Sequence, residues 1–203
     1  MGTRGAYGFR VDGKDKVTYN HYDSYPYGLG IDILQYISNT PLEKINQVAK
    51  KIIMVDSDNK ATVKEQKRYM NNADFSVSSK DPKEWYVLLR NTQGNLSVYN
   101  EDEGNVEHMI DSQSFLLDSL FCEYAYIINV DSGMFEYYEG FNKKAEGAGR
   151  YASIEPNKDH RNCDSKYYGV TLCKEINLTD LYGLTDKEVE TLAGILETNR
   201  EDA

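Results

Sequence analysis

The first thirty residues, Met1-Gly2-Thr3-Arg4-Gly5-Ala6-Tyr7-Gly8-Phe9-Arg10-Val11-Asp12-Gly13-Lys14-Asp15-Lys16-Val17-Thr18-Tyr19-Asn20-His21-Tyr22-Asp23-Ser24-Tyr25-Pro26-Tyr27-Gly28-Leu29-Gly30, set how the rest of the chain is read. Thr3 to Val11 and Lys16 to Asp23 read as a β-hairpin closed by Asp12-Gly13-Lys14-Asp15, where Asp-Gly supplies the tolerated positive φ. With Gly13 and Lys14 at the turn centre, Arg4 lies opposite Asp23, Ala6 opposite His21 and Gly8 opposite Tyr19. A slip of two residues moves these partners but keeps Arg4, Tyr19, His21 and Asp23 on one face. The other face holds Thr3, Gly5, Tyr7, Phe9 and Val11 with Thr18, Asn20, Tyr22 and Ser24. The small residues Gly5, Ala6 and Gly8 predict a close approach to the strand backbone. Ser24 to Gly30, with Pro26 and two glycines, breaks the pattern before a helix begins at Ile31.

Outward from this hairpin the period becomes helical. Thr40-Pro41-Leu42-Glu43 reads as a capping box with proline at the first helical position, and Leu42, Ile45, Val48, Ala49, Ile52 and Ile53 share one face. A weaker helical run spans Ala61 to Asn72, and a serine-rich loop covers Ser76 to Ser79. Asp81-Pro82-Lys83-Glu84 opens a further helix with Trp85, Leu88, Leu89, Leu96 and Tyr99 inward, interrupted near its end by Gly94. An acidic loop from Glu101 to Asp111 leads to a short apolar helix around Phe115 to Leu120. Cys122 to Val130 is apolar on both alternations and predicts an interior strand, turned by Asp131-Ser132-Gly133 into a second strand, Met134 to Phe141. After the long polar stretch Asn142 to Lys166, read as a flexible loop or lid, come a strand at Tyr167 to Cys173 and a closing helix. That helix starts with the capping box Thr185-Asp186-Lys187-Glu188 and turns Val189, Leu192, Ala193 and Leu196 inward. The order predicts one α+β domain over residues 1–203: an antiparallel sheet of the N-terminal hairpin and C-terminal strands, covered by amphipathic helices.

The 203 residues, 40% of them hydrophobic, suffice for a substantial core. The apolar runs are too short for a membrane span, no secretory signal opens the chain, and Ala6 stands where a myristoylation motif needs Ser or Thr. Three unpaired cysteines, Cys122, Cys163 and Cys173, fit a reducing cytoplasm. Thirty-three acids against 23 bases give a net charge of −10, which disfavours direct nucleic-acid binding. Glu101-Asp102-Glu103 with Glu107 and Asp111 is the densest acidic patch, read either as a solvated loop or as a mimic for a basic groove. The 17 tyrosines suit strands and half-buried binding surfaces.

The sequence holds no Walker loop, no dinucleotide fingerprint, no His-Glu-x-x-His and no nucleophile elbow. His160, Cys163, Asp164 and Cys173 match no zinc spacing, so neither a metal nor a cofactor is expected. What remains is the N-terminal cluster. Arg4 offers a donor fork for phosphate or carboxylate, His21 exchanges protons near neutrality, Asp23 can orient either, and Ser24 is a hydroxyl at a turn. Amides near Gly28 to Ile31 would add an anion-binding edge. The candidate ligand site is thus Thr3, Arg4, Tyr19, His21, Asp23, Ser24, Tyr25, Gly28 and Gly30, with the 142–166 loop as its lid. A purely structural use of the same residues, with Arg4 and Asp23 as a cross-strand ion pair and His21 packed over Ala6, accounts for them equally well.

Gly2-Thr3-Arg4-Gly5, the run Tyr19-Asn20-His21-Tyr22-Asp23-Ser24-Tyr25-Pro26-Tyr27-Gly28-Leu29-Gly30, the segment Trp85-Tyr86-Val87-Leu88-Leu89-Arg90-Asn91-Thr92-Gln93-Gly94, and Cys122-Glu123-Tyr124-Ala125-Tyr126 together resemble a family of uncharacterised bacteriophage and bacterial proteins, with looser relatives in fungi. The resemblance implies no chemistry, but it does imply a phage accessory role, such as one against host defence, exercised in the host cytoplasm. Three functions stand as expectations. The first is capture of a small anionic ligand, such as a nucleotide signal, at the N-terminal cluster. The second is hydrolysis by His21 and Asp23, and the third is inhibition of a host protein through Glu101 to Asp111. Self-association into a homo-oligomer is left open.

Overall fold

A computed structural model describes residues 2–77, 79–100, 105–154 and 167–198. Asp12 and Gly13 both take positive φ, 51° and 73°, and close a two-residue turn between β1 (Gly5–Val11) and β2 (Lys14–Asn20). Two left-handed residues in succession give the turn that matches strand twist. The pairs are therefore Ala6 with Tyr19, Tyr7 with Thr18 and Gly8 with Val17, two residues away from the expected register. The faces survive the slip: Tyr7, Phe9 and Val11 enter the main core, while Ala6 and Val17 enter a second one. The Asp131 carboxylate accepts from both turn amides, Asp12 N at 2.8 Å and Gly13 N at 2.9 Å.

The chain continues through α1 (Ile31–Asn39), α2 (Leu42–Lys51), β3 (Ile53–Val55), α3 (Val63–Tyr69), α4 (Trp85–Leu88) and β4 (His108–Ile110). It ends with β5 (Tyr124–Asn129), β6 (Met134–Glu139), β7 (Thr171–Asn177), α5 (Leu178–Leu181) and α6 (Asp186–Thr198). The main sheet runs β2-β1-β5-β6-β7, with β3 and β4 forming a small parallel pair apart from it. The α+β class is as expected, and the sheet is antiparallel in three of its four pairings. At the fourth, β1 and β5 are parallel, with Gly5 beside Tyr124 and Phe9 beside Ile128. A parallel neighbour needs a long crossover, and α1 to β4 supply it. Every residue of β5 is buried, which is why its sequence is apolar on both alternations.

Ile33, Leu34 and Ile37 of α1, Ile45, Val48 and Ala49 of α2, and Val189, Ala193 and Leu196 of α6 bury against the tyrosine-rich sheet face. Burying each of the larger aliphatics contributes about 1.5–3 kcal/mol. Lys16 fixes the end of α2: its Nζ donates to the carbonyls of Ala49, Lys50 and Ile52 at 2.8, 3.0 and 2.7 Å, a cation where the helix dipole is negative. The capping box at Thr185 and Glu188 forms as read, and Thr62 with Glu65 makes another. Thr40 does not cap, because Pro41, with ψ of 137°, is itself the residue before the first helical one.

The helix expected from Trp85 onward is a single turn followed by 3₁₀ turns at Arg90–Thr92 and Leu96–Tyr99. Gly94, at φ of 81°, and the Thr92 hydroxyl, bonded back to Leu89 O, break it. The inward residues are nonetheless those expected: Trp85, Leu88, Leu89, Leu96 and Tyr99 are buried. The run at Phe115 is a 3₁₀ turn, Gln113–Leu117, and the last strand lies later than read. Residues 142–154 pack under the second core through Tyr151 and Ala152; residues 155–166 of the expected lid lie outside the described residues. Among those described, no helix is long and apolar enough to cross a membrane.

Candidate functional site

Because Asn20 ends β2 and the chain leaves the sheet there, Tyr19 and His21 come together at the sheet margin. Tyr19 Oη is 2.7 Å from His21 Nδ1, and the His21 ring meets Tyr22 edge-on at 4.2 Å. Arg4 lies on the same side, its guanidinium 4.6 Å from the Phe121 ring centroid. A second guanidinium, Arg90, sits over Tyr22 at 5.4 Å and Tyr86 at 5.5 Å and donates to Gln93 Oε1. Among the described residues neither Arg4 nor Arg90 has a carboxylate within 4.0 Å. Burial first, then the charges of Arg90 and Arg4, lower the His21 pKa below its usual value. Burial raises that of Tyr19, with the two arginines opposing.

Asp23 does not join this group. It takes φ of 49°, turns the chain out of the strand, and lies exposed on a polar cleft of about 620 Å³ with Asn20, Tyr25, Asp32, Asp74 and Arg90. The expected Arg4–Asp23 ion pair is therefore not made, and His21 is oriented by a phenol instead of a carboxylate.

The other expected site residues are built into the scaffold. Ser24 is fully buried: its Oγ accepts from Asn20 Nδ2 at 2.9 Å and its carbonyl from Tyr126 Oη at 2.8 Å. Thr3 O accepts from Ser24 N, and a Cβ on Gly5 would meet Ser24 Cβ at 2.6 Å. The close approach that the small residues imply is thus made by the chain itself. The amides expected to bind an anion are spent: Gly28 N and Gly30 N donate to Tyr25 O, Leu29 N to Asp23 O, and Ile31 N to Gly28 O and Pro26 O. Pro26–Gly30 is a π-turn running into α1, so no open helix N-terminus exists there. Gly28 is required because a Cβ would lie 2.1 Å from Asp23 O. Tyr25 and Gly28 still line the cleft.

Arg90, Tyr86 and Gln93 are the site residues that sequence reasoning passed over. Their signal was available, since they are the polar positions left when Trp85, Leu88 and Leu89 turn inward. A second polar cluster was also missed, farther along the same sheet face as Tyr19, whose alternation Asp15, Glu136 and Tyr138 share. Arg150 bridges Glu136 at 2.7 Å and Asp15 at 3.1 Å, while Tyr138 and Tyr151 donate to those carboxylates at 2.8 and 2.6 Å. A charge in the interior strand Met134-Phe135-Glu136-Tyr137-Tyr138 was its only trace. Of the acidic segment, residues 101–104 lie outside the described residues, and Glu107 pairs with Arg68 at 2.6 Å. His160, Cys163 and Asp164 also lie outside them. No group of three or more metal-ligating side chains occurs among the described residues.

No protein-family model, no curated protein and no solved structure matches the chain.

Proposed function

We propose that the chain binds a small anionic ligand at the margin of β2, between Arg4, His21 and Arg90. The observation that carries this reading is a pair of guanidiniums, Arg4 and Arg90, with no carboxylate of the described residues within 4.0 Å, in a chain of net charge −10. An unpaired arginine keeps its donor fork available for phosphate or carboxylate. Aromatic rings under both guanidiniums hold them in place without neutralising them. Asp23, Asn20 and Asn91 in the adjoining cleft are acceptors and donors suited to the hydroxyl groups of a sugar-bearing anion. Together with the resemblance to phage proteins, this makes the chain an accessory protein that sequesters a small anion such as a nucleotide signal.

The test is calorimetric titration with phosphate, pyrophosphate, ribose 5-phosphate and nucleoside monophosphates. Arg90→Ala and Arg4→Ala are each expected to weaken binding about tenfold or more, the worth of one charge-assisted hydrogen bond. Anion affinity unchanged in both variants ends this reading.

A further inference from the structure

Beside the arginine pair lies a second slot, of about 310 Å³, walled by Tyr19, Tyr86 and Phe115. It falls at the small end of the volume range of ligand sites. Tyr19 and Phe115 stand nearly perpendicular there, 5.1 Å between centroids, and Tyr86 lines the same space. The slot shares its walls with the anion site. Tyr86 also carries Arg90, Tyr19 also bonds His21, and Gln93 lines both cavities. Ser57, Ser114, Asp111 and Asp118 also line it, and carboxylates in a lining accept hydrogen bonds.

We infer that this slot takes a planar heteroaromatic ring bearing an exocyclic amine, so that the anion held by the two arginines is the phosphate of an adenine, guanine or cytosine nucleotide. The inference rests on the anion reading and narrows it. Aromatic walls stack on any base, at about 1–3 kcal/mol per base. The carboxylates favour an edge bearing an exocyclic amine over the edge of uracil, where carbonyl acceptors flank the single N–H donor. The shared residues set the distance between ring and phosphate: one tyrosine ring separates slot from guanidinium.

Ribose 5-phosphate and the nucleoside monophosphates of adenine and of uracil are titrated into the wild-type protein and into Ser114→Trp, which adds bulk at an exposed lining position of the slot that is absent from the lining of the Arg90 cleft; Ser57→Trp repeats the block from a second such position. Adenosine monophosphate is expected to bind at least tenfold tighter than ribose 5-phosphate, with the uracil nucleotide in between. Both tryptophan variants should erase the advantage and leave ribose 5-phosphate affinity unchanged. Equal affinity for ribose 5-phosphate and the nucleotides overturns the slot while the anion site stands. Adenosine binding as tightly as its monophosphate, in a manner blocked by the tryptophans, upholds the slot and removes the anion reading. An advantage that survives both tryptophans overturns the inference.

Discussion

Tyr19 Oη stands 2.7 Å from His21 Nδ1, and no carboxylate takes its place. Burial, with the charges of Arg90 and Arg4 nearby, favours the neutral imidazole. His21 is thus a proton acceptor held in waiting beside two permanent cations.

The consequence is a pH dependence with a defined sign. Since the folded-state pKa lies below the unfolded value of about 6.5, the unfolded chain binds the proton more readily. Stability contributed by His21 is full above that value and falls as pH drops through it towards the folded pKa. Ligand affinity runs the other way, because protonated His21 adds a third positive charge and anion binding strengthens on acidification. Histidine NMR titration should show the His21 pKa rising in Arg90→Ala, in Arg4→Ala and on addition of pyrophosphate. A value unmoved by all three contradicts the electrostatics argued here.

Gly28→Ala places a methyl 2.1 Å from the Asp23 carbonyl, which is rigid backbone already bonded to Leu29 N. The turn must open, at a cost of about 1–3 kcal/mol. Urea denaturation should show a lower midpoint at unchanged slope. The cleft residues Asp23 and Tyr25 would shift with the turn, so anion affinity should fall as well.

Arg150→Met leaves Glu136, 2% exposed, stripped of its cationic partner. Removing one member of a buried pair costs about 3–5 kcal/mol, and the lower end applies because 27% of the Arg150 side chain is in solvent. Glu136→Gln in the same background should recover most of the loss. A double-mutant cycle with additive effects would show that the two side chains do not interact.

Thr185→Ala and Thr62→Ala each remove a capping hydroxyl whose Glu partner also bonds the Thr amide. Each should cost about 1 kcal/mol. The first should lower the global midpoint, since α6 buries Val189 and Leu196 in the main core.

Local chemistry made the hairpin legible. Asp-Gly announced the turn, period-two alternation sorted Tyr7 and Phe9 from Ala6 and Val17, and Thr185 marked the start of α6. The register slipped because only the backbone decides whether Gly13 is the first or second turn residue. The parallel β1–β5 contact could not be read, since direction across a long crossover leaves no trace in either strand's pattern. For the site, residue type identified Arg4, Tyr19 and His21, which do lie together. Asp23 was misplaced by its left-handed φ, and Arg90 arrives from a segment far away in sequence.

That same parallel pairing sets the order in which the molecule can be made. Arg4 and Glu123 are 119 residues apart, and β1 has no inner neighbour until β5 exists. At translation rates of about 5–20 residues per second, the nascent hairpin waits on the order of ten seconds with one edge open. Tyr7, Phe9 and Val11 stay uncovered meanwhile, a template for another copy's strand. The hairpin that begins the sheet is also the segment for which a chaperone, or a neighbouring nascent chain, would compete.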